Sequence, residues 1–138
     1  MITAGLTNSF KEQVLLGQHN LEADVLKIAL YTSSAQLGPD TTVYSSLNEV
    51  SGTGYTAGGE ILVNVTVSLG QGVAYVSFDN PTWIASTFTT RGALIYNSSK
   101  SNKSIGVLNF GLNQTTLSQN FQLQLPTNNP ETALIRYL

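Results

Sequence analysis

Two spacings of apolar residues organise the chain. Near the N-terminus Phe10 and Val14 stand four apart, with Leu15 and Leu16 beside them. That is the spacing of one helix face. Ser9 and Glu12 stand in the order of a capping box: the hydroxyl accepts from the Glu12 N–H and the carboxylate reaches back to the Ser9 N–H. Gly17 supplies a left-handed stop. The pattern predicts one short helix over 9–17, preceded by an arm over 1–8. So short a helix is marginal alone and needs a surface to pack on.

From Val25 the period falls to two. Leu26, Ile28 and Leu30 alternate with Lys27 and Ala29 in a strand ending near Thr32. Ile61, Val63, Val65 and Val67 alternate with Asn64, Thr66 and Ser68, the pattern of a half-buried strand over 61–68. Gly70, Gln71 and Gly72 turn it back into 73–78, which predicts a hairpin. Pro81 stops the return strand because it has no N–H to donate. Residues 93–96 are apolar on both faces and read as a central strand. A polar loop over 97–104 leads into its return partner at 105–110. Shorter alternations at 121–125 and 133–138 close the chain.

Seven or eight strands separated by turn signals predict an all-β antiparallel sandwich or jelly roll with one N-terminal helix. The length suits a single domain over 1–138. Residues 37–59 are the irregular part, a long excursion holding Gly52, Gly54, Gly58 and Gly59. Long loops in compact domains are often functional.

Composition narrows the function. Only 14 of 138 residues are charged, 6 Lys+Arg and 8 Asp+Glu, where roughly a quarter is usual. Thr, Ser and Asn together number 42. With 41% hydrophobic residues the chain has enough apolar surface to fold. A net charge of −2 argues against binding nucleic acid, which takes a basic face. The absence of Cys removes disulfides, thiolate nucleophiles and Cys-based zinc sites. Lys11 and Glu12 interrupt the N-terminal apolar run, so no secretion signal is expected. No stretch approaches the ~18 apolar residues of a membrane-spanning helix. The expectation is a protein without enzymatic activity, cofactor, metal or membrane association.

Individual residues were weighed against that expectation. The glycines of the excursion lack the following helix and the Lys-Ser/Thr of a phosphate loop. His19 is the only imidazole, and no nucleophile elbow accompanies it. Asp24, Asp40, Glu49, Glu60 and Asp79 could supply a glycosidase pair only if the fold brought two together. Trp83 with the tyrosines could form a sugar-stacking platform or fill the core. Lys100 and Lys103 read as a solvated hairpin tip.

Three stretches in order carry a resemblance. They are residues 9–35 (SFKEQVLLGQHNLEADVLKIALYTSSA), 48–59 (NEVSGTGYTAGG) and 81–111 (PTWIASTFTTRGALIYNSSKSNKSIGVLNFG). Together, with the final strand at 133–136, they resemble small virion structural proteins of tailed bacteriophages. The resemblance implies a structural part of a phage particle, made in the host cytoplasm and ending in the virion.

Size and a neutral surface favour a capsid decoration (cement) protein that bridges major capsid subunits, assembled as a small cyclic homo-oligomer. A tail or neck component is the alternative, and a carbohydrate-binding module for host recognition is a third. The expected contact elements are the arm, the excursion and the region of Trp83 and Arg91. Ile2, Leu6, Tyr55, Trp83 and Arg91 are the candidate interface residues, because Trp and Arg are enriched at interfaces.

Overall fold

The computed structural model describes residues 1–126, 129 and 131–137. Its elements run β1 (Gly5–Leu6), α1 (Asn8–Leu15), β2 (Leu26–Tyr31), β3 (Glu60–Ile61), β4 (Thr66–Gly70) and β5 (Val73–Ser77). They continue with β6 (Thr82–Asn97), a 3-10 turn (Ser98–Lys100), β7 (Lys103–Gln122) and β8 (Ile135–Tyr137). The strands form two antiparallel sheets, in the orders β1-β7-β6-β2-β3 and β4-β5-β8. The all-β antiparallel architecture expected from the period-two runs is the one observed. The last expected strand position, Leu138, lies outside the described residues.

The larger sheet is buried on both faces at its centre. On the inner face Leu26, Ile28 and Leu30 of β2 meet Ala93 and Ile95 of β6, and Val76 and Ile135 of the small sheet close over them. On the outer face Ala29, Tyr31, Leu94, Tyr96 and Val107 form a second cluster with Ala35, covered by Ile2 of the arm and by Leu37 and Tyr44 of the excursion. Residues 93–96 are therefore buried on both sides, as their unbroken apolar run implies. This second cluster is why the arm and the excursion are tied down: each contributes a lid to an apolar face.

Three local expectations are corrected. First, the helix is capped by Thr7, whose side chain accepts from Phe10 N at 3.4 Å. Ser9 instead lies 3.4 Å from the Ser104 hydroxyl. The cap moves because the Thr7 N–H is held by Ile105 O at 3.0 Å, which sets the point where the chain leaves the sheet. Phe10 is buried, and Gly17 follows the helix at a φ of 71°, but Leu15 and Leu16 point to solvent.

Second, the run over 61–68 is not one strand. Ile61 pairs with Lys27 in the large sheet, whereas Thr66 pairs with Ser77 in the small one. The chain changes sheet between them, with Asn64 at a φ of 58°. The expected hairpin survives as β4–β5, with Gln71 and Gly72 both at positive φ, the geometry of a two-residue turn. Third, β6 and β7 extend well beyond the predicted 93–96 and 105–110. Ala85 and Ser118 have positive φ (49° and 50°), and register shifts interrupt the pairing. These irregularities erase the apolar alternation that would have revealed the extensions.

Candidate functional site

The excursion folds back onto β2 and β6 around a single carboxylate. Glu49 accepts from the Tyr44 hydroxyl at 2.6 Å, the Tyr55 hydroxyl at 2.5 Å and the Gly58 N–H at 2.8 Å. The Tyr55 oxygen in turn accepts from Leu30 N at 2.9 Å. Tyr96 donates to Gly58 O at 2.6 Å and stacks on Tyr44 at a centroid distance of 4.7 Å. Tyr31 donates to Ser45 O at 2.6 Å. These bonds tie both ends of the excursion to strands of the large sheet.

Burial, followed by the neighbouring Glu49 carboxylate, pushes the Tyr96 hydroxyl up to about 12. Burial likewise raises Tyr31, Tyr44 and Tyr55, and the bonds from Tyr44 and Tyr55 to Glu49 add to it. All four therefore stay neutral donors at ordinary pH. The chemistry is that of a clasp: the Glu49 carboxyl group is met by two hydroxyl donors and one backbone N–H.

Close backbone contact needs the glycines here. At Gly59, φ is 81° and a Cβ would sit 1.8 Å from Ile28 O. At Gly52 a Cβ would sit 2.2 Å from Thr87 O. The glycines serve intimate packing of the excursion against the sheet.

The arm completes this face. The N-terminal amine donates to Ala35 O at 3.1 Å, Thr3 N to Leu37 O at 2.8 Å, and Asn8 N to Pro39 O at 2.8 Å. Two of the three expected contact elements are thus side by side. Between them runs an open cleft of about 590 Å³, lined by Met1, Thr3, Leu37, Thr42, Val43 and Leu47 among others. Met1, Val43 and Leu47 stand out from it, at 80%, 49% and 75% exposure. Asp40 is the one charged side chain in the lining.

The candidate interface residues fall in different places. Trp83 is 1% exposed and lies against Tyr55 and Phe121. Ile2 is buried in the outer cluster. Neither offers surface to a partner, because each completes the protein's own core. Tyr55 is engaged in the clasp. Leu6 is half-buried in β1, opposite Gly106. Arg91 is half-buried on β6, and its Nε, like Trp83 Nε1, is buried without an acceptor among the described residues. Trp83 faces inward and the tyrosines of the clasp are bonded, so these five aromatics do not present a stacking platform.

No family model matches the chain, and no curated protein or solved structure matches it.

Of the acids considered for catalysis, Asp24, Asp40, Glu49 and Asp79 each accept hydrogen bonds from their own neighbours. Asp24 accepts from Asn97 Nδ2 at 2.7 Å and from Asn20 N at 3.0 Å, and pairs with Lys100 at 3.6 Å. Asp79 accepts from Asn64 Nδ2 at 2.6 Å, and Asp40 from Asn8 Nδ2 at 3.3 Å. Among the described residues no group of three or more His, Cys, Asp or Glu converges as a metal site would require. No helix among them is long and apolar enough to cross a membrane.

Sequence reasoning missed Glu49 as an organising group, and missed Val43 and Leu47 as exposed apolar residues. The only signal was indirect: Tyr44, Glu49 and Tyr55 crowd into a segment that has no period of its own.

Proposed function

We propose that the protein is a non-enzymatic structural component of a bacteriophage particle, and specifically a capsid decoration protein. On this reading the arm and the excursion together form its docking face, and it bridges neighbouring major capsid subunits. The observation that carries the reading is the preformed cleft between Met1–Thr3 and 36–48, whose lining side chains are neutral apart from Asp40 and which is edged by exposed Met1, Val43 and Leu47.

A face of this kind binds through apolar contact and neutral hydrogen bonds, which salt screens little. Because the clasp holds the excursion in place, little conformational freedom would be lost on docking. A standard interface buries ~1,600 Å², and many copies repeated over a shell add up. Resistance to rupture is the expected benefit to the particle.

Gold-labelled antibody against the protein, applied to purified phage particles, tests the assignment. Label on heads is the expected result. Label confined to tails assigns the protein to the tail or neck, and particles without label refute a virion component altogether.

A further inference from the structure

Arg91 occupies a break in the central ladder. Thr90 pairs with Gln114 and Gly92 with Asn109, so residues 110–113 of β7 stand opposite this one residue of β6. Its flanks are pinned. Thr90 is fully buried, and its hydroxyl lies 3.1 Å from Tyr31 O and 3.2 Å from Gly92 O. A Cβ on Gly92 would sit 2.6 Å from Leu108 O and 2.9 Å from Ile2 Cδ1, so the arm lies directly over that position. Asn109, across the ladder from Gly92, donates its Nδ2 to Ile2 O at 2.9 Å. Arg91 therefore borders the strand pair on which the arm rests.

The guanidinium is held there without an acceptor. Arg91 is half-buried and its Nε is shut off from water. Among the described residues none of its N–H groups has a hydrogen-bond or ion-pair partner. Three other cations are met within the fold: Lys100 pairs with Asp24 at 3.6 Å, Lys103 donates to Gln18 Oε1 at 3.2 Å, and Arg136 donates to Glu131 O. Withdrawing a delocalised cation from water with nothing in exchange costs free energy, and an arriving oxyanion offsets that cost. The Arg91 terminal nitrogens are not enclosed as Nε is. A planar pair of such donors matches a carboxylate, through two parallel N–H···O bonds.

We propose that this guanidinium receives a carboxylate, an Asp or Glu side chain of the shell subunit on which the arm and the excursion dock. The inference rests on the decoration reading for its partner and names the chemistry that partner presents. Charge complementarity selects the occupant: the fold gives Arg91 no acid, so the acid comes from outside. Because Arg91 adjoins the arm, one partner can reach both. Being half-buried, the pair is screened by salt less than an exposed one.

Two measurements on Arg91→Met test this, since that substitution keeps an apolar stem and removes the charge. In urea unfolding of the isolated full chain, Arg91→Met should be at least as stable as wild type, because the charge removed is unpaired. In cosedimentation with purified particles lacking the protein, it should raise the apparent Kd by at least about tenfold. Arg91→Lys, which keeps the charge and loses the fork, should fall between the two. Equal binding of Arg91→Met and wild type overturns the proposal. So does a lower urea midpoint for Arg91→Met, which would show the guanidinium in use inside the fold. Self-association of wild type that Arg91→Met abolishes would put the carboxylate on a second copy and overturn the assignment to the shell. A wild type that fails to bind particles refutes the decoration reading itself, whereas binding that ignores residue 91 refutes this contact alone.

Discussion

The Tyr55 hydroxyl is bonded twice, donating to the Glu49 carboxylate at 2.5 Å and accepting from Leu30 N at 2.9 Å. One oxygen thus couples the excursion to the inner strand β2. Bonds to a charged acceptor contribute about 1.5–3 kcal/mol each, and leaving a buried partner unmet costs a similar amount. Tyr55→Phe should destabilise the protein by about 2–3 kcal/mol. Glu49→Gln should do comparable damage, and the double variant should lose less than the sum, with a coupling of about 1 kcal/mol or more. Urea unfolding of the four proteins gives these values directly. Strict additivity would mean that the clasp is not a unit.

Alkaline pH should release the same clasp. The hydroxyls of Tyr31, Tyr44, Tyr55 and Tyr96 are raised in the folded protein above the ordinary value of about 10. A raised group stabilises the fold fully below its unfolded value and loses that contribution as pH rises through the folded value. The contribution of these tyrosines should therefore be constant up to about pH 10 and fall above it. Tyrosinate absorbance of these four side chains should rise together with loss of the fold. Their ionisation in a still-folded protein near pH 10 would contradict the burial described.

Acid acts on a different pair. Asn97 Oδ1 is occupied by Ser99 N–H, so its Nδ2 faces His19 Nδ1 as a donor, at 3.0 Å. His19 is thereby fixed as the neutral tautomer with the proton on Nε2, which donates to Gln13 Oε1 at 2.8 Å. Burial and the charge of Lys103 hold the imidazole below its ordinary value, and Lys100 adds to this against the opposing pull of Asp24. A depressed group contributes stability above the unfolded value, about 6.5, and loses it as pH falls through the folded value. Stability should decline below about pH 6.5, and His19→Gln should flatten that decline. Asp24 adds a second loss at lower pH. Burial pushes its carboxyl up, but bonds from Asn97 and Asn20, with Lys100 nearby, outweigh this and hold it below 3.8. An unchanged slope in His19→Gln between neutral pH and the carboxylate range would remove the histidine from the account.

The helix start offers a sharp contrast between two hydroxyl residues, Thr7 and Ser9, two positions apart. Thr7 is fully buried, caps α1 and accepts from the Ser104 hydroxyl at 3.0 Å. Thr7→Ala should cost about 1–2 kcal/mol, the upper range for a lost cap. Ser9→Ala should cost less than about 0.5 kcal/mol, as for a residue with no capping role. Equal losses in thermal or denaturant unfolding would restore Ser9 to the cap.

These residues also mark where sequence stops being legible. The β2 strand and the buried run 93–96 could be read because each keeps one period over a face that is uniformly covered. The run 61–68 looked equally clear but is divided between two sheets, since alternation records which side chains turn inward and not which sheet they turn from. Ser9 and Glu12 formed a convincing cap by local spacing, whereas the true cap was chosen by the contact of Thr7 with Ile105, 98 residues away. The clasp was illegible for the same reason. Glu49, Tyr55, Gly58 and Tyr96 meet only after the chain has folded back, and hydrogen bonds between distant loops leave no period. Trp83 and Arg91 were chosen by residue type alone, which says nothing about whether a side chain ends inside or outside.

The most direct test of the central claim is the rupture temperature of particles lacking the protein, measured after adding back purified wild type or Leu47→Lys. Leu47 is 75% exposed, so the substitution changes the proposed docking face and not the fold. Wild type should raise the rupture temperature, and Leu47→Lys should raise it markedly less. Equal rupture temperatures with and without wild-type protein would contradict the account.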